Sequence, residues 1–403
     1  MTPINQPIAE QGRVVSIGDY VRGNIREYGM FIALIAIMVF FQFSTGGVLF
    51  RPLNLTNIIL QNSFIVIMAL GMLLVIVAGH IDLSVGSVVG FIGAIAGVMT
   101  VQWHTNYVLA GIVCLAMGAL VGGIQGYFVA YHKIPSFIVT LAGMLVFRGL
   151  TLFVMTASGT GTSIGPFPPA FQLISIGFLP NAFDMGGINS TSIILTVVGA
   201  VALFYLAWRK RLSNEKHGND VEPLGFFLAQ NALVTLAILA LGYQLSIYRG
   251  FPNVLMVMLV LVAAYAFITR RTTIGRRIYA MGGNEKATKL SGINTERLTF
   301  LTFANMGLLA GLAGLIVALR LNSATAKGGF GLELDVIAAC FIGGASAQGG
   351  VGKVTGAVIG ALIMGIMNNG MSIHGLGTDS QQMVKGAVLL AAVFFDVYNK
   401  NKG

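Results

Sequence analysis

Twelve apolar runs leave this chain few ways to fold. They lie at approximately 28–46, 57–78, 84–102, 107–130, 137–155, 191–208, 226–246, 254–269, 298–320, 331–348, 354–372 and 380–397, and each is near the ~20 residues that cross hydrocarbon. A bilayer offers no water to backbone amides and carbonyls, so such runs must be helices that satisfy their own hydrogen bonds. The expected fold is all-α, a polytopic membrane protein. Composition agrees, with 56% hydrophobic and 9% charged residues against roughly 45–50 and 25% in soluble domains. Twelve crossings put both ends on one side. With the N-terminus inside, Arg51, Arg249, Arg320 and Lys327 fall outside and Arg148 and Lys385 within spans. The rest of the 24 Lys and Arg residues are cytoplasmic, as the positive-inside rule asks. The net charge of +10 therefore reports topology, and nucleic acid is not an expected partner.

The domain plan follows. Residues 1–27 are polar, without the apolar core and cleavage site of a signal peptide, and read as a cytoplasmic tail. Residues 28–397 form the transmembrane domain and 398–403 a second cytoplasmic tail. Two segments, 331–348 and 354–372, hold or flank Gly343, Gly344, Gly349, Gly350 and Gly352, which can make a broken or re-entrant passage and leave ten true crossings. The external loop 156–190 carries no Lys or Arg and one acid, Asp184. Pro166, Pro168, Pro169 and Pro180 deny it long helices, and Phe167, Phe171, Phe178 and Phe183 suit an interface; it reads as a docking ledge or as a cover over helix ends.

The chain also repeats itself. Gly118-Ala119-x-x-Gly122 recurs as Gly356-Ala357-x-x-Gly360, Arg148-Gly149 as Lys385-Gly386, and Asp82-Leu83-Ser84-Val85 resembles Glu333-Leu334-Asp335-Val336. In the expected topology the two sets run in opposite directions, an inverted repeat of the kind from which many transporters build a site near the membrane centre.

One polar stretch stands apart, in the cytoplasmic loop 270–297. It reads Gly275-Arg276-Arg277-Ile278-Tyr279-Ala280-Met281-Gly282-Gly283-Asn284 and continues through Ala287, Leu290, Ser291, Gly292 and Ile293. Gly282 and Gly283 break the chain, Asn284 can cap a new helix, Glu285 suits its first turn, and Gly292 can end it in a left-handed conformation. Ala287, Leu290 and Ile293 then make a small apolar face opposite Lys286 and Lys289. So short a helix is marginal alone and needs a partner surface.

This stretch, with Ile81-Asp82-Leu83-Ser84-Val85-Gly86-Ser87, Pro135-Ser136-Phe137-Ile138-Val139-Thr140-Leu141 and Glu333-Leu334-Asp335-Val336-Ile337-Ala338-Ala339, resembles the permease family of bacterial ABC importers for monosaccharides. That family includes the ribose, galactose and xylose uptake systems, and the resemblance covers roughly residues 57–155 and 254–397. It implies an inner-membrane homodimer with one path along the dimer axis. A cytoplasmic ABC ATPase subunit would drive it and a periplasmic sugar-binding protein would feed it. It makes 284–293 the coupling helix seated in the ATPase, with Gly275, Arg276, Arg277, Tyr279, Gly282 and Gly283 leading into it. The extra pair of spans between Thr156 and Asn253 and the run Tyr248-Arg249-Gly250-Phe251-Pro252 resemble the xylose-type branch, which favours an aldopentose or related aldose as cargo.

Other motifs argue against chemistry in the chain itself. Gly349-Gly350-Val351-Gly352-Lys353-Val354 resembles a phosphate loop, but Ala347 stands where its first glycine belongs and Val354 where Ser or Thr belongs. Leu290-Ser291-Gly292 matches only the start of an ABC ATPase signature. No carboxylate pair with histidine, no Ser/His/Asp set and no metal cluster has useful spacing; Cys114 and Cys340 read as buried thiols. No enzymatic activity, cofactor or metal is expected.

Candidate path or gate residues are Asp82, Ser84, Arg148, Asn368, Asn369 and Lys385. Asp82 either caps the helix after it or acts as a gate. Arg148 and Lys385, the charges nearest mid-span, either reach helix-end carbonyls or lock helices beside the pathway. Asn368 and Asn369 serve helix contacts or sugar hydroxyls. The rival reading is a proton-coupled secondary sugar transporter, for which the spans offer few acids beyond Asp82, Glu333, Asp335 and Asp396.

Overall fold

A computed structural model describes the backbone of residues 25–183 and 185–400, with side chains from Tyr28 to Phe394. The expected tails 1–27 and 398–403 fall largely outside the described residues, as do Asp184 and the side chain of Asp396. Each apolar run contains one helix. In chain order the helices are α1 Ile25–Ser44, α2 Pro52–Val77, α3 Val85–Gly97 (continued by a π-helical turn, Val98–Gln102), α4 Tyr107–Ala130 and α5 Ser136–Ala157. Then come α6 Pro169–Ile176, α7 Ser190–Lys216, α8 Leu224–Ser246, α9 Asn253–Arg271, α10 Thr273–Gly283, α11 Glu285–Leu290, α12 Thr295–Leu321, α13 Leu332–Ile342, α14 Val354–Ile373 and α15 Thr378–Lys400. Nine of the described helices are long and apolar enough to cross a membrane. The chain is an all-α polytopic membrane protein.

The described residues form two compact units. The smaller holds the described residues of Leu179–Phe251 and those from 25 to Gly29. Its core is the α7–α8 hairpin, which closes where Thr196 fills the space left by Gly242. At its inner end Arg211 lies over the Phe227 ring and donates to the Glu222 carbonyl at 2.5 Å.

The larger unit, Met30–Phe178 with the described residues from Pro252 onward, carries the candidate coupling and path residues. Its centre is α2, buried along most of its length, with α12 running antiparallel beside it. A seam of small residues brings α4 and α12 into backbone contact: a Cβ on Gly118 would lie 2.4 Å from the Gly307 carbonyl oxygen, and one on Gly122 2.2 Å from that of Phe303. Exchanging α2–α5 for α12–α15 maps the main contacts onto one another: α4 on α12 becomes α14 on α2, α3 on α12 becomes α13 on α2, and α3 on α5 becomes α13 on α15. The members of each exchanged pair run in opposite directions. The matching glycines are not equivalent in place, however, because Gly356 and Gly360 pack against Gly343 and Ala339 of the α13 segment.

One crossing is broken. After α12 the chain turns at Asn322, in the left-handed region at φ 52°, and pairs briefly with the external loop. Two-residue strands β1 Ser163–Ile164 and β2 Ala324–Thr325 lie antiparallel, with Ser163 opposite Thr325. The chain then descends without helix along α3, from Ala324 beside Gly97 to Glu333 beside Gly86. A Cβ on Gly90 would fall 2.2 Å from the Gly328 carbonyl oxygen, so this descent depends on glycine. Only then does α13 form, 11 residues or about 16 Å long. The segment after it reaches the inner end of α2, where Gly350 N–H donates to the Val77 carbonyl at 2.8 Å. The sequence placed the break among Gly343–Gly352, where residues 343–353 are indeed non-helical; a second non-helical stretch, residues 322–331, lies on the other side of α13.

The first part of loop 156–190, expected outside, packs on α12. Phe167 and Phe171 are buried, Phe167 N–H donates to Asn322 Oδ1 at 2.8 Å, and Ser175 Oγ donates to the Ile316 carbonyl at 2.8 Å.

Candidate functional site

Loop 270–297, expected on the cytoplasmic side, is two helices set end to end. Thr272 caps α10 by accepting from Gly275 N–H at 3.2 Å, and α10 buries Gly275, Ile278 and Met281 while Arg276 and Arg277 face solvent. Glycine at 275 lets the turn from α9 close, since a Cβ there would meet the Ile268 carbonyl oxygen at 2.2 Å. Tyr279 hydroxyl donates to the Gly352 carbonyl at 2.7 Å, and burial pushes its phenol above the ordinary value. At the end of α10, Gly282 lies flat on α2: a Cβ there would be 1.6 Å from the Val77 carbonyl oxygen and 2.7 Å from Gly350 N. Gly283 has open space. Thus α10, the inner end of α2 and the Gly349–Gly352 turn form one junction, and that turn leads straight back to α13.

The second helix, α11, has the expected punctuation. Asn284 Oδ1 accepts from Ala287 N–H at 2.9 Å, and Gly292 ends the helix at φ 79°. The apolar face divides. Ile293 folds against the core with Thr288 buried, whereas Leu290 is 90% exposed beside exposed Ala287, Lys286 and Ser291. A leucine so bare on a six-residue helix lacks the burial that would stabilise it. Asn294 caps α12 through Arg297 N–H at 2.7 Å. Glu296 binds Lys289 in a contact that holds its carboxyl down to about 2 and raises the lysine. Close by, burial lowers His80, which lies 5.7 Å from the Phe303 ring.

Inside the membrane domain, the candidate charges find partners that sequence spacing did not reveal. Arg148 on α5 pairs with Glu333 at 3.2 Å, donates from Nε to Ser87 Oγ at 3.2 Å, and lies 4.7 Å from the centre of the Phe330 ring. Lys385 on α15 pairs with Asp335 at 2.9 Å, and Asn368 Nδ2 donates to the same carboxylate oxygen at 3.1 Å. Both acids belong to the first turn of α13, where the helix dipole favours negative charge. Glu333 and Asp335 are nearly buried, while Arg148 and Lys385 keep 33% and 19% of their side chains accessible. The repeat-related cations therefore grip the half-length helix from its two sides, at the edge of the exposed faces of α5 and α15. Phe330, three residues before Glu333, and Leu334, between the two acids, are exposed.

Asn369 has a different place. It exchanges two amide hydrogen bonds with Asn54, both 2.9 Å, and so ties α14 to α2. Asp82 is buried; its Oδ1 accepts from Ser84 N–H at 2.8 Å and Ser84 Oγ at 2.6 Å, and that hydroxyl accepts from Gln125 Nε2 at 2.9 Å. Asp82 thus shapes the turn entering α3, two residues before Ser84, where the N-cap sits. Among the described residues no group of His, Cys, Asp and Glu is placed to hold a metal.

Residues 54–393 match the family described as branched-chain amino acid transport system / permease component. The chain is similar to the xylose transport system permease protein XylH of Escherichia coli (strain K12), 40% identical over 379 residues, 94% of this chain and 93% of that one. It is equally similar to XylH of Haemophilus influenzae, 40% over 382 residues, 94% and 98% of the two chains. Against the ribose import permease protein RbsC of Escherichia coli (strain K12) it is 35% identical over 343 residues, 85% of each chain. No solved structure matches.

Proposed function

We infer that this chain, which belongs to the branched-chain amino acid transport system / permease component family, is the inner-membrane permease subunit of an ABC importer for a monosaccharide. Xylose or a related aldose is the cargo, by similarity to the xylose transport permeases along nearly the whole chain, α7–α8 included. The chain itself hydrolyses no ATP and performs no other catalysis. A separate cytoplasmic ATPase supplies the energy, and a periplasmic sugar-binding protein delivers the sugar. The proton-coupled alternative is not favoured, because the relatives are permease components of import systems.

The observation that carries the energetic part is Leu290. Its 90% exposure at the tip of a capped cytoplasmic helix is that of an anchor without its pocket. ATP-driven closure of the ATPase pushes α11, and the rigid junction of α10 with Val77 and Gly350 passes the movement to α13. Packed elements with two arrangements carry such a shift. The sugar path runs along the faces of α5 and α15 where Arg148 and Lys385 emerge, since partly exposed cations at this depth face a watery cavity and not lipid. A second copy of the chain closes that path, and lipid covers the remaining apolar surface. Asp335 Oδ1 and Asn368 Oδ1 lack donors in the structure and suit the hydroxyls of a sugar. Asp82, Ser84 and Asn369 hold the helices that border the path.

The test is Leu290→Asp in the full complex. The variant inserts normally and no longer co-purifies with the ATPase, and uptake is lost with it. Wild-type recovery of the ATPase with the variant refutes the assignment.

A further inference from the structure

Lys133, in the turn between α4 and α5, touches the coupling loop. Lys133 Nζ lies 3.5 Å from Glu285 Oε1 and 3.5 Å from Glu296 Oε1. Glu285 is in the first turn of α11 and Glu296 in the first turn of α12, so one ammonium group is shared between the coupling helix and the helix that follows it. The carboxylates are themselves joined, since Thr295 Oγ1 donates to Glu285 Oε1 at 3.2 Å and to Glu296 Oε2 at 3.4 Å. Lys289 completes the set through Glu296.

The backbone at Lys133 is strained for the purpose. Its φ is 57°, a left-handed conformation that a lysine adopts at a cost and keeps only where its surroundings enforce it. Two residues later Pro135 begins the turn into α5 with fixed φ. The inner end of α5 is then held to the segment before α3: Ile81 N–H bonds Ser136 Oγ at 3.3 Å, and Thr140 hydroxyl donates to the Ile81 carbonyl at 3.4 Å. Along α5 lies Arg148, whose guanidinium grips Glu333. A displacement of α11 thus has a second way into the membrane besides the Gly282 junction, entering at α5 and not at α13.

We propose that Lys133 is a positioning residue, an ionic clamp that makes the α4–α5 turn follow the coupling helix and so moves α5 in step with α13. This rests on the reading of 284–293 as the coupling helix. More than half of Lys133 and of Glu285 is accessible, and exposed pairs of this kind contribute little to stability. A purely structural role therefore predicts no functional change, whereas a clamp predicts ATP turnover that moves less sugar. The positive charge is what matters, so arginine at this position preserves the device.

The experiment reconstitutes the permease with its co-purified ATPase in proteoliposomes and supplies xylose on the binding protein. Xylose imported per ATP hydrolysed is measured for the wild type, Lys133→Met and Lys133→Arg, with the melting temperature of each complex. Lys133→Met lowers the ratio roughly fivefold or more, within the usual range of site-to-site coupling, with melting unchanged. Lys133→Arg stays close to wild type. A wild-type ratio in Lys133→Met, or an equal loss in Lys133→Arg, overturns the clamp. Failure of the wild-type complex to import xylose with ATP would instead strike the coupling-helix reading.

Discussion

Replacing Gly282 by alanine adds one methyl group at the point where α10 meets α2. The new carbon would sit 1.6 Å from the Val77 carbonyl oxygen. Ordinary contact is near 3.5 Å, so α10 must withdraw by roughly 2 Å. That carbonyl also accepts the Gly350 amide at 2.8 Å, and Gly350 N itself would lie 2.7 Å from the methyl. Wherever the withdrawal is incomplete, the methyl parts the bond that ties the Gly349–Gly352 turn to α2. Overpacking at such a site costs about 1–3 kcal/mol, and an unpaired buried backbone group about 1–3 kcal/mol more. A local loss of roughly 2–6 kcal/mol loosens one junction but leaves a membrane domain of this size inserted. Uptake of xylose by cells carrying Gly282→Ala should fall at least about tenfold, while the amount of protein in the membrane stays normal. The neighbouring Gly283→Ala is the control, because its Cβ meets nothing within 4 Å; it should transport normally. Full transport by Gly282→Ala, or equal damage from both variants, would refute a rigid junction at Val77.

Two further outcomes follow from charges. Lys385→Met strands the nearly buried Asp335 carboxylate and should destabilise the detergent-solubilised protein by up to about 3–5 kcal/mol, less whatever water at the path screens. The double variant Lys385→Met/Asp335→Asn should recover much of that loss, as thermal unfolding will read. His80 gives the pH dependence: burial holds its folded value below the ordinary one, so the folded state refuses a proton that the unfolded chain accepts. Stability is complete above about pH 6.5 and declines as pH falls below it toward the folded value, and His80→Asn should flatten that decline in melting curves taken between about pH 5 and 7.

The membrane architecture was legible because hydrocarbon demands long apolar runs, and each run found its helix. The breaks were harder to place. Asn322, Gly328, Gly329 and Gly331 form the descent into α13, yet as letters they look like an ordinary surface turn after a span. What makes them a passage is their fit against Gly86 and Gly90, which lie far away in sequence. α10 was read as a polar connection because Arg276 and Arg277 are conspicuous, whereas Gly275, Ile278 and Met281 bury a stripe of their own. Arg148 and Lys385 stood out as costly charges, but their acids could not be paired with them: Glu333 and Asp335 belong to a helix that spacing alone left uncertain. Asn284 and Gly292, by contrast, were readable at once, since capping and left-handed termination are decided by residues within one turn.

The half-length of α13 has a consequence for the work of transport. Where the first part of that crossing is unwound, the helical wall left to move is about 16 Å thick, roughly half of a hydrocarbon core. On the path proposed along α5 and α15, a polyhydroxylated solute would meet its dehydrating barrier only over that thin septum, and a tilt of one short rod would transfer access from the outer side to the inner.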